Sequence, residues 1–322
     1  MSNSNPIYSF PLKEETKIDM ENQRAMIKVI LKLKSGNFAV GSHGAVISIW
    51  IPKNKKLFQA WRAQGRVNDL IEMDNGDLIS ACSGGGSFIS IYRYEEGKNS
   101  YKIFGNIKCK EFIISSLAII DNNTFVYGSI ENNIVFWKLE ENDSYKKDKE
   151  IKLEDKEEDD CIYAIIKISN GNFISTGFSF VKLINSVTIK SEKDINFSQP
   201  SCLYEDSEKN IWVGNSPGSI LVVDSELNKL KETQAHKLQI NKFLEFNNHI
   251  ISASTDFTMK IWDINSFECL DTIKGYGEIT AICLINEGCL VTAQGIPQTD
   301  DIEYYDEEDL LQFLVFYESE KK

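Results

Sequence analysis

Apolar runs of strand length recur along the chain, separated by turns rich in Gly and Asn, and every third run ends on an aromatic or bulky aliphatic residue. The pattern returns seven times at intervals of 39 to 54 residues, measured between Trp50, Tyr92, Trp137, Ile184, Val223, Trp262 and Phe316. A period of that size, with no helical periodicity inside it, predicts an all-β fold. The expected architecture is a single seven-bladed β-propeller of four-stranded blades, closed by an N-terminal strand.

The first element is the candidate closing strand, Ile7 to Leu12. It is needed because the last repeat, Ile279 to Tyr317, supplies only three strands, and an unclosed ring exposes unpaired sheet edges. Pro11 fits an outermost strand, one edge of which faces solvent. The seven third strands are anchored by Ile49-Trp50, Ile91-Tyr92, Phe136-Trp137, Leu183-Ile184, Val222-Val223, Ile261-Trp262 and Val315-Phe316. Between first and second strands lie Ser35-Gly36-Asn37, Asp74-Asn75-Gly76, Asp121-Asn122-Asn123 and Asn170-Gly171-Asn172. Those residue types tolerate the positive φ of tight hairpins, so turns and anchors agree.

The clearest unit is LQINKFLEFNNHIISASTDFTMKIWDINSFECLDTIKG, Leu238 to Gly275, whose third strand ends in Trp262-Asp263, with Ala235-His236 26 positions before the Trp. It resembles a WD40 repeat, and the other six units resemble degenerate copies. The resemblance implies that His236, Ser252, Asp256 and Trp262 form a buried hydrogen-bonded cluster with a structural role. It also implies a scaffold that binds proteins on a loop-rich face. In the first unit, GSHGAVISIW, His43 is read at the position of the repeat's Asp, and the fourth has a shortened turn at Gly177-Phe178-Ser179.

The 322 residues contain no linker rich in Pro, Gly or Ser, so one domain is expected over 1–322. The amino terminus lacks a basic segment followed by an apolar core, and no run approaches the ~18 apolar residues of a membrane helix. Neither secretion by that route nor membrane insertion is expected. Seven cysteines without a CxxC pair suit buried, reduced thiols in the cytoplasm. Abundant Asn, Ile and Lys suggest an AT-rich genome and a eukaryotic protist source. The propeller itself is expected to be monomeric.

The net charge of −13 is concentrated in two stretches. Glu140 to Asp160 carries 11 acids against 5 lysines, and Asp300 to Asp309 carries 7 acids and no base. Read as acidic loops at about 140–160 and 298–309, they place Asp159, Asp160, Asp306, Glu307, Glu308 and Asp309 on one face as a candidate patch for a basic protein. Nucleic acid is disfavoured by the same charge. DDIEYYDEED lacks the spacing and the Gly of a calcium loop. Of four arginines, Arg24, Arg62 and Arg66 lead into inner strands and could receive an acidic or phosphorylated peptide. Candidate partner contacts are Arg24, His43, Arg66, Phe178, Phe257, Tyr276, Tyr304 and Tyr305, since loop aromatics and arginines anchor interfaces.

Catalytic signals are absent from the sequence. The histidines His43, His236 and His249 form no HxH or HExxH pair, so no metal site is expected. Gly84-Gly85-Gly86 runs into the strand FISIYRY, not into a helix, and so reads as a hairpin turn. No nucleophile elbow occurs. The alternative of a propeller enzyme, a metal-dependent lactonase or esterase, needs carboxylates converging at inner-strand ends, where Arg66, Cys161, Gln199 and Glu278 stand instead. No cofactor is expected.

Overall fold

The computed structural model describes residues 12–19, 25–153, 161–188, 190–286, 288–297 and 310–319. After β1 (Leu12–Asp19), blade one comprises β2 (Ile27–Lys32), β3 (Phe38–Ser42), β4 (Val46–Ile51) and β5 (Lys56–Arg62). Blade two is β6 (Arg66–Glu72), β7 (Leu78–Ser83), β8 (Ser87–Glu95) and β9 (Ser100–Cys109). Blade three is β10 (Ile114–Asp121), β11 (Thr124–Ser129), β12 (Asn133–Leu139) and β13 (Tyr145–Lys152). Blade four is β14 (Ala164–Lys167), β15 (Phe173–Thr176), β16 (Phe180–Ile184) and β17 (Ser191–Asn196). Blade five is β18 (Pro200–Glu205), β19 (Ile211–Asn215), β20 (Ser219–Val223) and β21 (Lys229–Gln234). Blade six is β22 (Ile240–Phe246), β23 (His249–Ser254), β24 (Thr258–Asp263) and β25 (Cys269–Lys274). Blade seven takes β26 (Glu278–Asn286), β27 (Cys289–Pro297) and β28 (Leu310–Ser319), with β1 as its outermost strand. The molecule is a seven-bladed propeller of antiparallel four-stranded sheets, and all seven expected anchor pairs lie on third strands.

The strand that closes the ring runs antiparallel to β28, from Leu12 opposite Ser319 to Asp19 opposite Phe313. It meets the expected stretch 7–12 only at Leu12; residues 7–11 lie outside the described residues. The charged sequence LKEETKID can serve here because an outer strand has little core to cover. The run 140–160 does need a correction. It is not one loop, because Tyr145–Lys152 is the outer strand β13, whose charges suit a solvent-facing edge. Residues 154–160 and 298–309 lie outside the described residues.

Second and third strands are sandwiched between neighbouring blades, so β3, β7, β11 and β19 are buried along their whole length. Each junction between blades has its own apolar cluster. At the closing junction Ile27, Phe38 and Trp50 of blade one meet Val291, Leu314 and Phe316 of blade seven. Phe38 and Phe316 contact edge to face at 6.0 Å. Ring closure is therefore a packed hydrophobic joint as well as a hydrogen-bonded ladder.

Polar ties reinforce the inner ring. The register slips by one residue at Asn68, Ser115, Ser201 and Asn241, near the start of each inner strand. Each such residue turns its side chain across the junction to the backbone in or just before the inner strand of the next blade. Asn68 Nδ2 donates to the Ile114 carbonyl at 2.7 Å, Ser201 Oγ to Ile240 at 2.6 Å, and Asn241 Nδ2 to Ile279 at 2.9 Å, while Ser115 Oγ donates to Ile162. A bulge re-aims a side chain that would otherwise stay within its own sheet.

Candidate protein-interaction face

The connections from outer to inner strands and the turns from second to third strands emerge on one face and surround the channel mouth. Five of those turns have three residues with the third in the left-handed region: Ala45, Gly86, Asn132, Gly218 and Phe257, at φ 57°, 133°, 61°, 90° and 70°. Gly218 admits no side chain, since a Cβ would meet the His236 carbonyl oxygen at 2.4 Å. In this frame Gly44, not His43, occupies the position of Asp256, and His43 matches Thr255. The sequence assignment slipped because Gly44 has no side chain to announce the position.

The first turn residue is pinned to the residue before its blade's inner strand. The backbone N–H of His43 donates to the Met26 carbonyl at 2.9 Å, Ile130 to Ile113 at 3.2 Å, Ser216 to Gln199 at 3.0 Å and Thr255 to Gln239 at 2.9 Å. Blade four uses its neighbour instead: Gln199 N–H donates to the Phe178 carbonyl at 2.8 Å. The mouth is thus a rim of hydrogen-bonded turns around a concave cavity of about 510 Å³. Ile113, Ile130, Tyr163, Phe178 and Pro200 form the apolar part of its wall, and Lys28, His43, Asn68, Ser115, Gln199, Ser201, Ser216 and Gln239 the polar part. Tyr163 and Phe178 remain 39% and 46% exposed. Gly177 enforces the turn that presents Phe178, because a Cβ there would sit 1.9 Å from the Phe180 ring.

The channel narrows below the mouth to a second cavity of about 240 Å³ lined by all seven inner strands. Lys28, Asp69 and Lys242 are its charged groups. Burial raises the Asp69 carboxyl, opposed by Lys242, by the N–H groups of Leu117 and Leu70, and by Lys28. The thiol of Cys202 is pushed by burial to about 12 and that of Cys283 to about 11, so both stay protonated and inert. Among the described residues, no group of three or more His, Cys, Asp or Glu converges as a metal site.

In blade six His236, Ser252, Asp256 and Trp262 share one hydrogen-bonded chain. Trp262 Nε1 donates to Ser252 Oγ at 2.9 Å, and His236 Nε2 lies 2.7 Å from the same oxygen. His236 Nδ1 stands 3.1 Å from the Asp256 carboxylate, which also accepts from the Lys237 and Thr258 N–H groups at 2.9 and 3.0 Å. Burial depresses the imidazole pKa, with Asp256 pulling the other way. Burial would raise the Asp256 carboxyl, but Thr258, the Lys237 N–H and His236 prevail and hold it below the usual range. The chain fastens the connection entering blade six to that blade's second and third strands.

Of the candidate contacts, His43 and Phe178 both line the mouth. Arg66, Phe257 and Tyr276 do not. Arg62 and Arg66 are exposed at the two ends of one connection. Tyr276 is exposed on the connection into blade seven, with Lys17 Nζ 4.4 Å from its ring centre. Arg24, Tyr304, Tyr305, Asp159, Asp160, Asp306, Glu307, Glu308 and Asp309 lie outside the described residues. Tyr163, Ile113 and Ile130 were missed by sequence reasoning. Their signal is positional: Tyr163 and Ile113 immediately precede an inner strand, and Ile130 is a first turn residue, which an alignment of turns would have marked.

Residues 227–263 match the family described as WD domain, G-beta repeat. Over 203 residues, 62% of this chain, the sequence is 27% identical to the probable serine/threonine-protein kinase pats1 of Dictyostelium discoideum, of which that region is 6%. It is also 44% identical over 57 residues to the WD repeat-containing protein 89 homolog of Dictyostelium discoideum, covering 17% of this chain and 16% of that protein. The matched region thus spans a small part of either relative. No helix among the described residues is long and apolar enough to cross a membrane.

Proposed function

This chain is a WD40-repeat β-propeller, and from that premise we propose that it is a non-catalytic scaffold that seats a partner protein in the mouth of its central channel. The carrying observation is the 510 Å³ cavity in whose wall Tyr163 and Phe178 stay exposed on segments held by backbone hydrogen bonds. Exposed aromatic side chains on a rigid concave surface are the usual anchors of a protein interface. The Asn68, Ser115 and Ser201 side chains of the polar part are engaged in ties between blades, which suits structural work over chemistry. The partner's anchor is then an apolar side chain or short apolar segment.

A non-enzymatic role is also supported by the inert buried thiol of Cys202, and the free cysteines, of which Cys269 is exposed and Cys109 and Cys283 half-buried where burial was expected, suit a cytoplasmic setting. The match to the kinase-named protein covers 62% of this propeller chain and 6% of that protein, so the likeness supports a shared scaffold region, not shared phosphoryl transfer. Reading of an acidic or phosphorylated peptide by the arginine group is the weaker alternative, since Arg62 and Arg66 stand apart from the cavity. The test is affinity capture from native cells with wild-type protein and a Tyr163→Ser, Phe178→Ser double variant as baits. The proposal expects partners enriched by wild type and lost by the variant. Equal recovery by both baits would overturn it.

A further inference from the structure

We propose that a cavity on the opposite face, between blades one and two, is a binding site for one lysine or arginine side chain presented by a basic segment of a partner protein. The cavity measures about 410 Å³ and is bordered by the hairpin turns at Ser35–Asn37 and Asn75–Gly76 and by the connection between β8 and β9. Three aromatic rings line it: Phe58, Tyr94 and Tyr101. Tyr94 and Tyr101 stand 5.3 Å apart at 59°, forming two adjoining walls, and Trp61 stacks behind Tyr101 at 6.0 Å. Tyr94 is exposed at the rim, whereas Tyr101 is buried at the back.

Two acids, Glu72 and Glu96, and one base, Arg93, line this cavity. Glu72 is buried in its lining and Glu96 stands at its rim. Arg93 of the lining and Lys34 beside it have their charged ends bound to acids outside the cavity. Lys34 holds Asp74 through its ammonium at 2.5 Å, and its backbone N–H donates to Glu72 Oε2 at 2.6 Å. Arg93 grips Asp77 with two nitrogens at 2.7 Å each and Asp143 at 2.8 Å. Glu72 also lies close enough to Tyr101 that, after burial itself, its charge is the next cause lifting that phenol to about 12. A carboxylate at the back of a ring-walled cavity is matched by a cation that can lie over the rings with its head toward the acid. An apolar guest would take water from Glu72 and add no partner to the Lys34 N–H it already accepts. This site is separate from the channel mouth and does not depend on it.

Trp61 supplies the readout, because occupancy against Tyr101 alters its surroundings. The probes are two N-acetylated, C-amidated pentapeptides, with lysine or arginine centred in glycine, and the same peptide with norleucine as uncharged control. Titrating the full chain should give a saturable fluorescence change for the basic peptides, at least about tenfold weaker for norleucine. Glu72→Gln, which keeps an acceptor for the Lys34 N–H, should weaken binding about tenfold. Tyr94→Ala, at an exposed position, should weaken it comparably, and Phe178→Ala should leave it unchanged. If Glu72→Gln unfolds, Tyr94→Ala and Glu96→Gln decide the matter. No saturation up to about 10 mM, equal binding of norleucine, or loss on Phe178→Ala without loss on Tyr94→Ala would each overturn the proposal.

Discussion

Replacing Asp256 by Ala removes the acceptor that joins three segments of blade six. Its carboxylate takes hydrogen bonds from the N–H groups of Lys237 and Thr258, from the Thr258 hydroxyl and from His236 Nδ1. The side chains of His236 and Asp256 are 0% and 9% exposed, so water does not readily replace what is lost. A buried donor left unsatisfied costs about 1–3 kcal/mol, and each partly buried bond contributes about 1. The sum expected for Asp256→Ala is therefore about 3 kcal/mol. The control is Glu232→Ala, which removes an exposed ion pair with Lys229 and should cost less than about 1 kcal/mol. Urea titration of both variants reads the difference as a shift in midpoint at constant slope. Equal midpoints would show that the blade-six chain does not hold its segments together.

The pH dependence of stability should carry the same signature. Because His236 has a folded pKa below its unfolded value, the stability it supports is present above about pH 6.5 and is lost as pH falls toward the folded value. His236→Gln should flatten the midpoint between pH 7 and 5, and an unchanged slope would contradict the assignment. Deleting residues 1 to 19 removes β1 and bares the edge of β28; at roughly 0.5–1.5 kcal/mol per ladder bond, the loss should reach several kcal/mol, with aggregation on heating. A monomer with an unshifted thermal midpoint would refute closure by that strand. Gly218→Ala forces a Cβ against the His236 carbonyl at positive φ and should cost at least about 2 kcal/mol by urea denaturation; a loss below about 0.5 would show that the turn can relax.

The ring itself was readable because sandwiched strands leave a strong signal. β3, β7 and β11 must be apolar on both faces, and the third-strand anchors recur with them. Outer strands carry no such demand, so the charged stretches of β1 and β13 give no strand signal of their own. The blade-six chain was legible from Trp262 and His236, whose side-chain chemistry is distinctive. The mouth was only half legible. Phe178 stood out as an aromatic in a short turn, whereas Tyr163 and Ile130 acquire meaning only once the turns are superposed and the backbone bonds from Ile130 to Ile113 and from Gln199 to Phe178 are seen. The cavity beside Glu72 was not legible at all, because its walls come from blades one and two and from residues as far apart as Phe58 and Tyr101.

Hydrogen–deuterium exchange of the full chain, alone and with a partner recovered from native cells, tests the central claim most directly. If the partner seats in the channel mouth, protection should appear in peptides spanning Ile113, Ile130, Tyr163, Phe178 and Gln199, while the outer strands β13, β17 and β21 exchange as before. Protection confined to those outer strands, with the mouth peptides unchanged, would contradict it.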